Sequence, residues 1–326
     1  MKSVVITNES EPIQLVEKEI PRLNEGEALI KVKAAALNRR DQWMREGLYP
    51  GIVMGTTLGS DGAGIVEEGR AEWIGREVII NPNIRWGENF NVQSADYTIL
   101  GMPSDGTFAE YVKVSSDRLY QKPAHLSFEQ AAALPLAGLT AYRAVITKGQ
   151  VNNQKRVLIT GIGGGVSQFA LQFSVAIGAE VFVASRDDSK IENAMASGAK
   201  GGFNTANADW FKDANRQGGF DTIIDSVGGN FLNLFLKIIR PSGRIVMYGS
   251  TTGYPEKLDV FRLFWSQAQI MGSTMGSDKE FEDMIEFVNQ HQLTPSIDKV
   301  YDFGDYLLAL DRFKSPDHSG KIILKF

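Results

Sequence analysis

The segment Gly161-Ile162-Gly163-Gly164-Gly165-Val166-Ser167 constrains this chain more than any other. It follows an apolar run, Arg156-Val157-Leu158-Ile159-Thr160, which reads as a buried strand. It opens a helix-patterned stretch, Val166 to Ile177, with Phe169, Phe173 and Ile177 on one face and Gly178 as its stop. Strand, glycine loop and helix in direct succession make a cradle for a pyrophosphate. Without Cβ atoms the backbone N–H groups approach the anion, and the helix N-terminus adds positive dipole. The third glycine of the G-x-G-x-x-G spacing is missing. Ser167 stands where a small residue must let helix and strand pack closely, and it is small enough. A tight turn without a ligand is the plainer alternative. The agreement of strand, loop and helix favours a dinucleotide.

The surrounding chain supports an α/β reading. From Pro123 onward strands and helices alternate. Ser127-Phe128-Glu129-Gln130 is a capping box. Glu180 to Ala184 is a strand, Asp188 or Ser189 caps a helix ending near Gly198, and Phe220 to Asp225 is a strand. Phe231 to Ile238 is a helix and Arg244 to Tyr248 a strand. This rhythm predicts a doubly wound parallel sheet. The earlier chain differs: short strands such as Ala28 to Ala34 and Glu77 to Ile80 lie among Gly-rich turns. One helix, Arg39 to Glu46, interrupts them, with Asn38 as N-cap and Gly47 as stop. Three stretches follow: a β-rich part over 1–122, the nucleotide-binding part over 123–272, and a return over 273–326 that ends on the strand Gly320 to Phe326.

At the end of the second strand of the nucleotide-binding part, NAD binders place an acid for the ribose 2′-hydroxyl. Here the sequence is Ser185-Arg186-Asp187-Asp188-Ser189-Lys190. Arg186 and Lys190 suit a 2′-phosphate, while the two aspartates either oppose it or cap the following helix. NADP is expected ahead of NAD.

Composition removes other classes. The chain has 326 residues, enough for about two domains, with no cysteine and three histidines. Disulfides, iron–sulfur clusters and cysteinyl zinc sites are excluded, and no two histidines lie at a metal-ligand spacing. The net charge of −5, with no basic cluster, argues against nucleic acid. No apolar run reaches the ~18 residues of a membrane span, and the N-terminal apolar stretch is too short for a signal peptide. A soluble cytoplasmic protein is the expectation.

The chain resembles the medium-chain dehydrogenase/reductase superfamily, and within it the zinc-free quinone oxidoreductase-like branch. The resemblance runs along almost the whole sequence. It is carried by Ala36-Leu37-Asn38-Arg39-Arg40-Asp41, Arg45-Glu46-Gly47-Leu48-Tyr49-Pro50, Leu58 to Gly64, Asp105 to Tyr111, Leu139-Thr140-Ala141, the glycine loop and Ser319-Gly320-Lys321-Ile322. It implies a GroES-like β-rich catalytic domain joined to a Rossmann domain, and a homodimer through the edge of the parallel sheet. In the zinc alcohol dehydrogenases of this superfamily a Cys, a His and a Glu surround the catalytic metal. Here Asn38 stands for the Cys, and Ser60 and Asp61 for the His-Glu pair. The lobe that carries four cysteines for a structural zinc corresponds to Asn83 to Tyr97, which has none. Both metals are expected to be absent.

Without a Lewis acid, hydride delivery to a conjugated acceptor remains feasible, because the acceptor delocalises the developing charge. The expected substrate is a quinone or an α,β-unsaturated aldehyde or ketone. An enoyl-thioester reductase, or an NADPH-binding structural or regulatory protein without significant turnover, are the alternatives. The resemblance places Asn38 beside the nicotinamide, where its amide orients cofactor or substrate; serving only as a helix cap is an equal alternative. Tyr49 aligns with a tyrosine near the substrate cleft, as proton donor or stacking surface, against an ordinary core role. Asp41 reads as structural. Trp43, Trp86 and Phe264 are candidates for an apolar lining. On the cofactor side the resemblance assigns Thr140 to the nicotinamide region, Gly163, Gly164, Gly165 and Val166 to the pyrophosphate, and Ser185, Arg186 and Lys190 to the adenosine phosphate. Asn204 and Thr205 fall where relatives carry an adenine-side tyrosine. Ser226, Val227, Tyr248, Gly249, Ser250 and Thr274 fall at strand ends facing the crevice.

Overall fold

The computed structural model describes every residue except Glu9 and Pro316. The chain divides into two compact units, Met1–Leu139 with Gly276–Phe326, and Thr140–Met275.

The first unit opens with the antiparallel hairpin β1 (Lys2–Ile6) and β2 (Ile13–Glu17). Next come β3 (Glu27–Ala36), α1 (Arg39–Arg45), β4 (Asp61–Glu68), β5 (Glu77–Ile80), the short pair β6 (Asn83–Ile84) and β7 (Thr98–Ile99), β8 (Tyr111–Ser115) and β9 (Leu119–Gln121). The long strand β3 is the axis of this unit, pairing antiparallel with both β4 and β8. Its Ala34, Ala35 and Ala36 are fully buried, so neighbouring segments come close to it. Helix α2 (Phe128–Ala133) starts at the expected capping box and packs on β3 and β4. The chain then passes along α3 (Pro135–Tyr142) into the second unit. The first unit therefore continues to Leu139, past the expected limit at 122, because Ala131, Ala132 and Ala133 bury themselves in its core.

In the second unit, strands β10 (Arg156–Thr160), β11 (Glu180–Ser185), β12 (Gly201–Asn204), β13 (Phe220–Asp225), β14 (Ile239–Met247) and β15 (Gln269–Gly272) alternate with helices. These are α4 (Gly165–Ala176), α5 (Asp188–Ala196), α6 (Trp210–Arg216), α7 (Phe231–Ile238) and α8 (Val260–Ser266). All strand pairs are parallel, in the order β12-β11-β10-β13-β14-β15. Counted from the first strand this is 3-2-1-4-5-6, the doubly wound order that leaves a switch point between β10 and β13. Apolar runs such as Val157-Leu158-Ile159 are buried because helices cover both faces.

The chain returns to the first unit through α9 (Asp278–His291), β16 (Ile297–Asp302), α10 (Tyr306–Arg312) and β17 (Lys321–Lys325). Strand β17 pairs antiparallel with Ala34–Ala36 of β3, as the expected return requires. Among the described residues no helix is long and apolar enough to cross a membrane.

Candidate functional site

In the second unit the candidate cofactor residues gather at one edge. The glycine loop leaves the carboxyl end of β10, next to the switch point. Gly161 has φ +61°, and a Cβ there would lie 2.7 Å from Ser226 Oγ at the end of β13. Only glycine lets the loop run so close to its neighbour. Gly164 is the N-cap of α4, and Ser167 ties the loop by donating to the carbonyls of Gly161 (2.7 Å) and Gly164 (2.8 Å). Ser167 thus keeps the close packing and shares its one hydroxyl hydrogen between the two carbonyls. The first-turn N–H groups at Gly165 and Val166 have no intrahelical acceptor, as at every helix start, and remain for an anion.

Ser185 ends β11, and Asn204 ends β12 in register with it. Arg186 is exposed, and among the described residues its guanidinium has no hydrogen-bond or ion-pair partner. The two neighbouring acids are occupied. Asp187, not Asp188 or Ser189, is the N-cap of α5 and accepts from Ser189 N–H at 2.9 Å. Asp188 accepts from Asn204 Nδ2 at 2.8 Å. Lys190 lies in the first turn of α5 and is half-buried. Asn204 is spent on Asp188 and on Ala206 N–H.

Ser226 and Val227 follow β13, Tyr248, Gly249 and Ser250 follow β14, and Thr274 follows β15. Asp225 organises this edge. Its buried carboxylate accepts from the Thr160 hydroxyl, from Val227 N–H (3.1 Å) and from Gly228 N–H (2.8 Å). Burial raises its pKa despite those donors. Burial likewise raises the Tyr248 phenol, which is half-buried. Thr140 is buried at the start of the unit, beside Met275.

In the first unit a second polar group assembles from distant segments. Gly59, at φ +92°, turns the chain so that Ser60 and Asp61 face inward at the start of β4. Asn38 caps α1: its N–H donates to Asp41 Oδ2 at 2.7 Å, and its carbonyl accepts from Asp41 N–H at 3.0 Å. Its amide also reaches into the group, with Nδ2 on Asp61 Oδ2 at 3.0 Å. Asn38 thus caps the helix through its backbone while its side-chain amide is bonded within the polar group. Lys321, first residue of β17, donates to Asn38 Oδ1 at 2.7 Å and to Asp61 Oδ2 at 3.0 Å. Asp61 Oδ1 accepts from Leu136 N–H at 2.8 Å. The pair is sealed: Lys321 and Asp61 side chains are 4% and 0% exposed.

Ser60 Oγ accepts from Arg40 Nη1 and donates to the Leu100 carbonyl at 2.8 Å. Tyr49 accepts from Arg40 Nη2 at 3.0 Å and lies with its ring 4.9 Å from the guanidinium carbon. Asp41 is buried, and loss of hydration pushes its carboxyl up to about 6 although Arg40 and Lys321 pull it down. Sequence reasoning placed Asn38 and Tyr49 here but missed Arg40 and Lys321. The available signal was a lysine opening an otherwise apolar strand, Ile322-Ile323-Leu324, and a doubled arginine behind a helix cap.

Trp86 is buried edge-on to Tyr97 at 5.3 Å, whereas Trp43 and Phe264 are exposed. The segment Asn83 to Tyr97 is held by that ring pair and by Tyr97 Oη on Asn83 Oδ1 at 2.7 Å. A cavity of about 790 Å³ in this unit is lined by Trp86, Leu100, Arg118 and Asp278, and Asn38, Ser60, Asp61 and Lys321 do not border it. Among the described residues no three His, Cys, Asp or Glu side chains are gathered as a metal cage.

Residues 24–124 match the family described as alcohol dehydrogenase GroES-like domain, and residues 165–290 the family described as zinc-binding dehydrogenase. The chain is 33% identical to the zinc-type alcohol dehydrogenase-like protein YogA of Leptosphaeria maculans, covering 95% of this chain and 92% of that protein. It is 34% identical to a zinc-type alcohol dehydrogenase-like protein of Schizosaccharomyces pombe, covering 95% and 94%. A crystal structure of an NAD-dependent alcohol dehydrogenase superposes with TM-score 0.94 at 32% identity, covering all of both chains.

Proposed function

The chain belongs to the medium-chain dehydrogenase/reductase superfamily of oxidoreductases, and from that premise we propose that it reduces a conjugated carbonyl, a quinone or an α,β-unsaturated aldehyde or ketone, with NADPH and without a metal ion. The observation that carries this reading is the use made of the three catalytic-metal positions. Asn38 offers an amide oxygen, Ser60 a hydroxyl and Asp61 a carboxylate, and each already accepts a hydrogen bond from Lys321 or Arg40. Neither thiolate nor imidazole is among them. A zinc ion wants soft or nitrogen donors with free lone pairs, so these residues do not fit it, whatever the zinc-type names of the relatives say of those proteins.

A nicotinamide dinucleotide does fit the second unit, and when bound it supplies hydride. The loop from Gly161 to Val166 offers N–H donors to its pyrophosphate. Arg186, exposed and unpartnered, offers its fork to a 2′-phosphate, while Asp187 and Asp188 are already engaged. NAD is the second reading, favoured by the NAD-dependent name of the structural neighbour.

In the first unit Asn38, fixed between Asp61 and Lys321, presents an oriented amide, and Tyr49 an oriented phenol on Arg40. Their preset positions spare reorganisation as charge moves in the acceptor. Assembly as a homodimer is part of this reading. Helix α8 exposes Phe261, Phe264 and Trp265 to 63%, 58% and 75%, next to the sheet's edge strand β15.

The test is turnover of 9,10-phenanthrenequinone and of a simple enal with NADPH, after chelation and metal analysis of the protein. Reduction that survives chelation is expected. Activity that appears only with added zinc, or on simple alcohols alone, would overturn the proposal.

A further inference from the structure

Among the described residues, Arg40 is a buried cation with no carboxylate in ion-pair contact, Asp41 acting on it only through space. It is the second residue of α1 and is 6% exposed. Its Nη1 donates to Ser60 Oγ and to the Leu100 carbonyl (2.7 Å), and its Nη2 to Tyr49 Oη. Its Nε is buried and bonded to nothing. Among the described residues no carboxylate lies within ion-pair distance of it. Asp61 is given to Lys321, and Asp41, next in the chain, acts on Arg40 only through space. All its fixed partners are neutral oxygens. Two of its five N–H donors remain open. A permanently charged group stripped of water without a counter-charge is costly, and the cost falls when negative charge arrives.

Its place is informative. Ser60, which it grips, stands at one of the family's catalytic-metal positions. We infer that Arg40 takes the acceptor oxygen and stabilises the negative charge that forms there, the role a metal would otherwise fill. This rests on the conjugated-carbonyl reading above. A bound reduced nicotinamide would supply the hydride for the β-carbon and would be oxidised in doing so. The C=C electron pair moves toward the carbonyl, whose oxygen becomes an enolate against the guanidinium. Water then supplies a proton to the α-carbon. Tyr49 and Ser60 are positioning residues: they aim the fork from its ring face and from Nη1.

The acceptor dependence separates this from a packing role. A hydroquinone anion is weakly basic and needs little stabilisation, whereas the enolate of a simple enone is strongly basic and needs much. Arg40→Met is expected to lower kcat for an enone by about 100-fold or more, the scale of a lost oxyanion donor. It should lower kcat for 9,10-phenanthrenequinone by less than about tenfold and leave the NADPH dissociation constant, read by fluorescence quenching, unchanged. Arg40→Lys, which keeps charge and volume, provides the same ratio if the methionine variant fails to fold, and should fall between. Equal losses for both acceptors, or no loss, in either variant would overturn the inference. A wild-type protein that binds NADPH but reduces neither acceptor is a different result. It removes the function proposed above, and this role with it.

Discussion

Polar groups are handled in opposite ways in the two units. In the second, the sheet edge is built of glycines, hydroxyls, backbone amides and the bonded Asp225, and Arg186, which has no partner among the described residues, is exposed. In the first, Asn38, Arg40, Asp41, Ser60, Asp61 and Lys321 are all under a tenth exposed and bonded in two sets, Asn38 with Asp41, Asp61 and Lys321, and Arg40 with Ser60. The first arrangement waits for a ligand to satisfy it. The second largely satisfies itself and leaves a few donors over. A dinucleotide brings its own charges, so its site needs room and unspent N–H groups. The carbonyl proposed as substrate would bring almost none, so the field it met would have to be made by the protein beforehand.

The largest test of this contrast is Lys321→Met. It leaves the Asp61 carboxylate buried without its counter-charge, which costs about 3–5 kcal/mol of stability. Denaturant unfolding should show that loss, and Asp61→Asn in the same chain should recover much of it. A loss below about 1 kcal/mol would mean that the pair is not buried in solution and that the two units do not differ as described.

Asp41 sharpens the contrast through pH. Its carboxyl sits at about 6 in the folded chain against 3.8 for the ordinary group. The native state therefore holds a proton that the unfolded chain has released. The stabilisation is complete below about pH 4 and is lost as pH rises through about 6, about 3 kcal/mol in all. Asp41→Asn keeps an acceptor for Asn38 N–H and should remove that slope. Stability curves of the two proteins that stay parallel from pH 4 to 7 would show Asp41 ionised throughout.

The smallest effect belongs to the open unit. Arg186→Ala should weaken NADPH by about tenfold, roughly 1.4 kcal/mol, and NADH hardly at all. Because Arg186 supports nothing in the free protein, the melting temperature without ligand should not change. Equal weakening of both nucleotides would take the 2′-phosphate away from this residue.

Sequence legibility follows the same division. The cradle from Thr160 to Ser167 was readable because strand, loop and helix are consecutive, and local periodicity reports each of them. The ends of β13 and β14 were readable for the same reason, whereas no strand was expected ahead of Thr274, whose place came from the resemblance. The cap of α5 was misplaced by one residue, since Asp187, Asp188 and Ser189 all cap well and only backbone dihedrals choose. In the first unit, Asn38 stood out through its helix. Lys321 did not, because 260 residues separate it from Asp61 and no local pattern joins them. Arg40 carried no local signal of its own beside Arg39 in a short helix. Its burial follows from the turn at Gly59 and from Leu100, which nothing near residue 40 foretells.

The separation of Lys321 from Asp61 also orders events during synthesis. Strand β17 is made only after the whole of Thr140–Met275, so the nascent first unit carries a carboxylate destined for its interior with no cation to meet it. The parallel-sheet unit has all its own strands by Gly272 and ends at Met275. A ribosome-bound chain can therefore complete its nucleotide-binding half while the half that began first stays open, and the oldest part of the polypeptide is the last to close.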